Sequence, residues 1–139
     1  MPPSSPVVAP PSIAERLAET RARIQAAARD CGRDPTAITL VAVTKTQPWG
    51  RVKAILDAGQ AVFGENRVQE ADSRWGARES SGHRVELRLI GPLQTNKAEA
   101  ALARFDIIET LDRERLAEAL ARAADKLGKR PRVLIQVNT

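Results

Sequence analysis

Residues 39–64 read TLVAVTKTQPWGRVKAILDAGQAVFG, and this stretch decides the fold. The run TLVAVT is short and apolar, which is typical of a strand buried on both faces in a parallel sheet. Pro48 suits the first turn of a helix, in which Ile55 and Leu56 belong to an apolar stripe that ends before Gly59. The run QAVFG then predicts a second strand. The stretch is therefore one strand, one helix and a further strand.

The same alternation continues through the rest of the sequence. Further strands are predicted at VELRLI, DIIETL and RVLIQVN, which are residues 85–90, 106–111 and 132–138. Helices are predicted over residues 66–78, over residues 95–104, and from a cap at Asp112 to Leu127. Four strand-and-helix units followed by a fifth strand indicate an α/β fold with a parallel sheet and right-handed crossovers.

Two architectures use this alternation: an open doubly wound sheet and a parallel (β/α) barrel of the TIM type. The sequence has neither a G-x-G-x-x-G nor a G-x-x-x-x-G-K-[ST] motif, and its polar residues cluster after the carboxyl ends of the strands, which favours the barrel. A whole barrel needs about 250 residues. We therefore expect the first four β/α units and a fifth strand, either as a piece of a longer product or as a half barrel.

The N-terminal region precedes this alternation. Five of the nine prolines lie in residues 2–11, so residues 1–11 are expected to form a flexible lead-in. Ser12 to Glu15 match a capping box and predict a helix that stops at Gly32. The expected organisation is this lead-in followed by residues 12–139 as part of a single barrel domain.

Composition excludes several classes of protein. The 139 residues are 42% hydrophobic and 28% charged, as in one globular domain. One cysteine cannot form an internal disulfide, and one histidine cannot supply half of a zinc site. No apolar run reaches the length of about 18 residues that a membrane helix needs, and the start lacks the pattern of a secretory signal. We expect a cytoplasmic protein that does not span a membrane.

The formal net charge of +5 raises the question of nucleic-acid binding. Basic residues alternate with acidic ones along the predicted helices, as in LDRERLAEALARAADK, which is typical of a solvated helix face. The chain has only four aromatic residues on which bases might stack. This distribution disfavours nucleic acid as a partner. A basic module that binds nucleic acid or acidic proteins stays as an alternative, which heparin retention that falls with salt would favour.

Lys45 is the strongest candidate in the sequence for a residue that reacts with a ligand. It follows LVAVT directly, so its side chain leaves a buried strand at the face where barrel enzymes hold their active sites. An amine in that position can condense with an aldehyde to form a Schiff base. Position alone favours the alternative of a solvated lysine at the end of a strand.

Four strings surround this lysine in a fixed order: VAVTKTQP, FGENRVQEA, LIGPLQTNKA and IQVN. With them, residues 13–139 closely resemble the pyridoxal phosphate homeostasis protein family, whose barrels are related in fold to the barrel domain of alanine racemase. The resemblance implies that the cofactor is pyridoxal 5'-phosphate (PLP) and that Lys45 carries it as a Schiff base. It also implies binding, storage or delivery of PLP without turnover, with PLP-dependent apoenzymes as recipients.

The resemblance also directs attention to Asn66, in the string FGENRVQE. Asn66 is a candidate to hydrogen-bond the 3-oxygen of the pyridoxal ring, or instead to cap the helix expected to begin there. Asn96 and Lys97 are candidates for the mouth of the barrel or are ordinary surface residues. Glu65 is expected to pair with Arg67 or with neighbouring loops. The loops that hold the phosphate are expected beyond residue 139.

A Schiff-base enzyme of the aldolase type is a further alternative. Such an enzyme needs additional carboxylates or a second lysine near Lys45, and no neighbouring segment clearly supplies one. The chain contains no tyrosine, which is the residue that related racemases use as acid and base. The sequence therefore favours a non-catalytic PLP-binding protein.

Overall fold

The computed structural model of the chain describes residues 1–76 and 82–139. One N-terminal helix precedes an alternation of strands and helices. The elements in chain order are α1 (Ile13–Asp30), a 3-10 turn (Pro35–Ala37), β1 (Ala42–Val43), α2 (Trp49–Asp57), β2 (Val62–Glu65), α3 (Val68–Trp75), β3 (Glu86–Leu89), a second 3-10 turn (Thr95–Lys97), α4 (Ala98–Arg104), β4 (Ile107–Leu111), α5 (Glu114–Leu127) and β5 (Arg132–Ile135).

The five strands form one parallel sheet in the order β1-β2-β3-β4-β5. Phe63 pairs with Leu87 and Leu89 pairs with Ile108, which sets the register of the central strands. Crossovers between parallel strands are right-handed as a rule, so strands in sequential order are expected to have their connecting helices, α2 to α5, on one face of the sheet. A doubly wound sheet instead reverses its strand order. The sheet therefore has the barrel-type arrangement of the TIM class that the sequence predicts.

The hydrophobic core lies between the sheet and its layer of helices. Phe63 and Leu87 come from the strands and pack in one cluster with Trp75 of α3 and Leu116 of α5, and each of the four is fully buried. Alanines fill much of the rest, since Ala71, Ala101 and Ala123 belong to the same cluster. Small residues bring the helices close to the sheet, but each contributes little apolar area.

The alternate positions of β3 and β4 carry charged side chains. Arg88 pairs with Glu86 at 2.9 Å and with Glu109 at 3.0 Å, and all three side chains are about three-quarters or more buried. Because successive strand residues point to opposite faces, this network lies on the face away from the core that contains Leu87. The face of the sheet that would line the inside of a barrel is therefore partly polar where β3 and β4 lie side by side.

The first strand is shorter than the sequence predicts. The expected strand over residues 39–44 is reduced to Ala42–Val43, and Val43 is 47% exposed. In the described residues β1 pairs only with β2, so it forms an edge of the sheet. The prediction that TLVAVT is buried on both faces is wrong: Ala42 packs against the core, whereas Val43 points to the opposite face and is exposed there.

Two predicted helix starts are confirmed. The Ser12 hydroxyl oxygen accepts a hydrogen bond from the Glu15 backbone N–H at 3.1 Å and caps α1. Pro48 precedes α2 as its cap residue. No helix in the described residues is long and apolar enough to cross a membrane.

Two other predicted starts are wrong. Asp112 does not cap α5: the cap residue is Arg113, whose guanidinium donates to the Asp112 carboxylate at 2.7 Å. Helix α3 begins at Val68 rather than at residue 66, and the predicted end at residue 78 lies outside the described residues. In both cases the chain stays extended for one or two residues longer than the pattern suggests.

Candidate functional site

The carboxyl ends of the parallel strands meet at one edge of the sheet, which we call the carboxyl edge. Lys45 comes two residues after β1, Asn66 directly follows β2, and Gly91 comes two residues after β3. Parallel barrels hold their active sites at this edge. The expected convergence of the polar segments after the strands is thus confirmed for the first three strands.

Lys45 lies in a tight turn that begins directly after β1. The Gln47 N–H donates to the Thr44 carbonyl oxygen at 3.1 Å, so Lys45 and Thr46 are the two central residues. Thr46 has a φ of 61°, a left-handed conformation that is rare for a β-branched residue. The Lys45 side chain is exposed and forms no ion pair within residues 1–76 and 82–139. Its amine is therefore accessible to a ligand.

Glu65, the last residue of β2, is fully buried and joins three elements. Its Oε1 atom accepts hydrogen bonds from the Thr44 hydroxyl at 2.5 Å, from Arg74 Nη1 at 2.7 Å and from the Trp75 indole N–H at 3.1 Å. Its Oε2 atom is buried and has no hydrogen-bond partner among the described residues. A buried carboxylate is costly unless it is paired, so these three donors hold Glu65 in place.

Aromatic packing fixes one of those donors. The Trp75 ring lies 4.8 Å from Phe63 and 5.6 Å from Trp49, measured between ring centroids, with the Trp49 contact edge-on at 82°. Such tilted and edge-on pairs are the favoured aromatic arrangements. This packing fixes the orientation of the Trp75 ring, so that its indole N–H points toward Glu65. A buried tryptophan usually has a hydrogen-bond acceptor, and here Glu65 is that acceptor.

Asn66 is half buried and does not cap α3. The cap residue is Arg67, and no side chain caps that helix. The alternative role of Asn66 as a helix cap is therefore wrong, which leaves its amide available at the carboxyl edge. The Asn66 carbonyl oxygen lies so close to Gly91 that a Cβ atom at position 91 would overlap it. Glycine at that position allows β2 and β3 to stay in close contact as they end.

Lys45 and Asn66 occupy adjacent places along the edge, because each directly follows one member of the hydrogen-bonded pair Thr44 and Glu65. An amine that follows one strand and an amide that follows the next are groups of the kind that can bind the aldehyde and the phenolic oxygen of a pyridoxal ring. The residues present are thus compatible with that part of the cofactor.

The structure does not bring every candidate into one cavity. A cavity of about 530 Å³ at the ends of β2, β3 and β4 is lined by Asn66, Leu89, Lys97 and Arg113, among others, and Lys45 is not one of its lining residues. Asn96 is exposed and lies outside this cavity. Asn66 and Lys97 therefore line the same cavity, whereas Lys45 follows β1 and is not part of its lining.

The cluster around Glu65 is the feature that sequence reasoning missed. Glu65 was expected to pair with Arg67 or with loops, but it pairs with Arg74. One signal in the sequence pointed to this cluster: the carboxylate of Glu65 ends one strand, and the hydroxyl of Thr44 follows the strand before it. The choice of Arg74 over Arg67 depends on where α3 begins, which the sequence pattern placed two residues too early.

Comparison with known proteins now defines the class. The chain belongs to the family of the alanine racemase N-terminal domain, whose model matches residues 16–139. The resemblance to pyridoxal phosphate homeostasis proteins is confirmed by relatives that carry that name. The protein from Escherichia coli K12 is 43% identical over 127 residues, covering 91% of this chain and 54% of the relative. The one from Vibrio alginolyticus is 37% identical over 130 residues, covering 92% and 56%.

Solved structures support the same assignment. PipY of Synechococcus elongatus PCC7942, solved with PLP bound, is 38% identical with a TM-score of 0.78, covering 91% of this chain and 55% of PipY. A Bifidobacterium adolescentis protein is 34% identical with a TM-score of 0.77, covering 88% and 53%. The chain spans about half the length of the relatives that it matches.

Proposed function

We propose that this protein binds PLP and serves PLP homeostasis by storing the cofactor or delivering it to PLP-dependent apoenzymes. The observation that carries the proposal is the exposed amine of Lys45, which forms no ion pair with the described residues and stands in the V-T-K segment at the carboxyl edge. The PLP-bound structure of PipY, which aligns with 91% of this chain, supports the choice of cofactor. A cytoplasmic location is part of the proposal.

In this proposal Lys45 holds the cofactor through a reversible covalent bond. Lys45 would hold the cofactor by its Nζ atom, and the aldehyde of the cofactor would supply a condensation with that amine that releases one water molecule and is reversed by hydrolysis. A bond that needs only water to break suits a carrier, since the cofactor would leave unchanged.

Asn66 has the second role in the proposal. Its side-chain amide, freed from helix capping, donates a hydrogen bond to the ring oxygen next to the aldehyde. The chain's own contribution is thus the covalent anchor and one orienting hydrogen bond.

Absence of turnover is also a proposal, and Glu65 supports it. An aldolase-type enzyme needs an acid or base that reaches the substrate. Glu65 is the carboxylate tied to the Lys45 turn, and its side chain is fully buried, with Oε1 already accepting three hydrogen bonds. A group enclosed in this way is suited to holding the turn rather than to exchanging protons with a substrate.

A titration tests the proposed function. The protein at its natural length is titrated with PLP, and the absorbance of the Schiff base is recorded for the unmodified protein, for Lys45→Ala and for Lys97→Ala. We expect the Schiff-base band in the unmodified protein and in Lys97→Ala, and its loss in Lys45→Ala. A band that survives in Lys45→Ala, or that disappears only in Lys97→Ala, would contradict the assignment of Lys45.

A further inference from the structure

The turn that carries Lys45 is attached to the rest of the protein through the residue that precedes the lysine. Thr44 is 4% exposed, and its hydroxyl donates to Glu65 Oε1 at 2.5 Å. The Thr44 backbone N–H also donates to the Gly64 carbonyl oxygen at 3.4 Å, which is a long contact. The side-chain hydrogen bond is therefore the stronger of the two links between the start of the turn and β2.

The same turn contains backbone strain. The left-handed conformation of Thr46 is unfavourable for a β-branched residue, and such conformations persist only where surrounding contacts hold them. Lys45 itself is exposed, so its side chain supplies no buried contact that would do so. Thr44, on the N-terminal side of the turn, supplies a buried contact that can hold it.

We propose that Glu65 is the positioning residue for Lys45: through the Thr44 hydroxyl, it fixes the turn that presents the lysine amine at the carboxyl edge. Arg74 and Trp75 of α3 donate hydrogen bonds to the same carboxylate oxygen of Glu65. The turn is therefore held in place by contacts with β2 and α3. This role rests on the proposed function, because it concerns how Lys45 is presented to PLP.

Thr44→Val is the principal test, since valine keeps the shape of threonine and removes the hydroxyl donor. Thr110→Val is the matched control. Thr110 is 5% exposed, and its hydroxyl donates to the Gly91 carbonyl oxygen at 2.8 Å near the same edge, but it does not contact the Lys45 turn. Glu65→Gln is a second variant, which removes the charge and keeps the size of the side chain.

Three readouts separate positioning from general stability. Thermal melting reports stability. Hydrogen exchange of the Gln47 amide, which donates across the turn to the Thr44 carbonyl oxygen, reports the order of the turn without cofactor. Induced circular dichroism at saturating PLP reports the orientation of bound cofactor. For Thr44→Val we expect faster exchange in the turn, PLP binding weaker by about threefold to tenfold, and a smaller induced signal per bound cofactor. We expect the same three changes in Glu65→Gln. In Thr110→Val we expect exchange in the turn, PLP affinity and the induced signal to match those of the unmodified protein.

The outcomes distinguish this inference from the proposed function. If the unmodified protein forms no Schiff base at Lys45, the proposed function fails and the positioning role fails with it. If it does, but Thr44→Val keeps the affinity and the induced signal of the unmodified protein, only the positioning role is overturned. Equal losses in Thr44→Val and Thr110→Val would also overturn it, because they would reflect stability alone.

Discussion

Asn66 illustrates what a single residue's place in a sequence can and cannot indicate. Its position after β2 follows from the pattern, because a strand that ends in FGE leaves the next residue at the carboxyl edge. Its role does not follow, since the choice between capping and ligand binding depends on whether α3 begins at residue 66 or at Val68. The structure removes the capping role and leaves the hydrogen bond to the cofactor as a prediction.

Asn66→Ala in the protein at its natural length should therefore weaken PLP binding without lowering the melting temperature. Loss of one neutral hydrogen bond costs about 0.5 to 1.5 kcal/mol, which is up to about tenfold in affinity. Absorbance titration and thermal melting measure the two quantities. A clear fall in melting temperature together with an unchanged titration would contradict the proposed role.

Gly91 gives a prediction that depends on backbone contact alone. A Cβ atom at position 91 would overlap the Asn66 carbonyl oxygen, and backbone cannot move aside as a flexible side chain can. Gly91→Ala should cost about 1 to 3 kcal/mol of stability. Gly50→Ala is the control, because nothing lies within 4 Å of a Cβ there and alanine favours the helix. Denaturant unfolding that ranks the two variants equally would contradict this account.

At the scale of elements, the local signals succeeded where they involve only a few neighbouring residues. The capping box at Ser12 and the proline before α2 are confirmed, since each needs only the residues of one turn. Asp112 looked like an equivalent cap but is bound by its neighbour Arg113. Arg113 is in turn held by a tertiary contact, since its Nη2 donates to the Leu93 carbonyl oxygen at 2.6 Å, and the local sequence contains no signal for that contact.

Ser12 and Asp112, one a helix cap and the other not, give two predictions that can be compared directly. Ser12→Ala removes a real cap and should reduce the free energy of unfolding by about 1 kcal/mol. Asp112→Ala removes a surface contact with Arg113, whose own side chain is 41% exposed, and should change stability by less than about 0.5 kcal/mol. Chemical denaturation of both variants checks the difference. An equal or larger loss for Asp112→Ala would mean that the carboxylate supports α5 after all.

At the scale of the whole molecule, the order of the strands and the two edges of the sheet, β1 and β5, were predictable from the sequence, whereas the exposure of particular apolar side chains was not. Sequential parallel strands follow from the regular alternation, but the exposure of β5 does not follow from its apolar sequence. Leu134 and Ile135 of β5 are 51% and 75% exposed, and Val137, which follows the strand, is 73% exposed. The same kind of apolar run is buried in a central strand and exposed at an edge, so composition alone could not distinguish them.

Residues 1–139 expressed by themselves should consequently be weakly stable and should associate. Unpaired strand edges at β1 and β5, with apolar side chains beside them, favour pairing with other chains. Sedimentation over a range of concentrations measures the association, and Ile135→Lys should reduce it by placing a charge at the edge. A monomer that unfolds cooperatively at every concentration and binds PLP at micromolar strength would contradict this expectation.

The central claim is that Lys45 is the residue that carries PLP, and one measurement tests it most directly. The protein at its natural length is saturated with PLP, reduced with borohydride to make the C–N bond permanent, digested, and mapped by mass spectrometry. We expect a single modified peptide with the pyridoxyl group on Lys45. Modification at Lys53 or Lys97, or no modification at all, would contradict it.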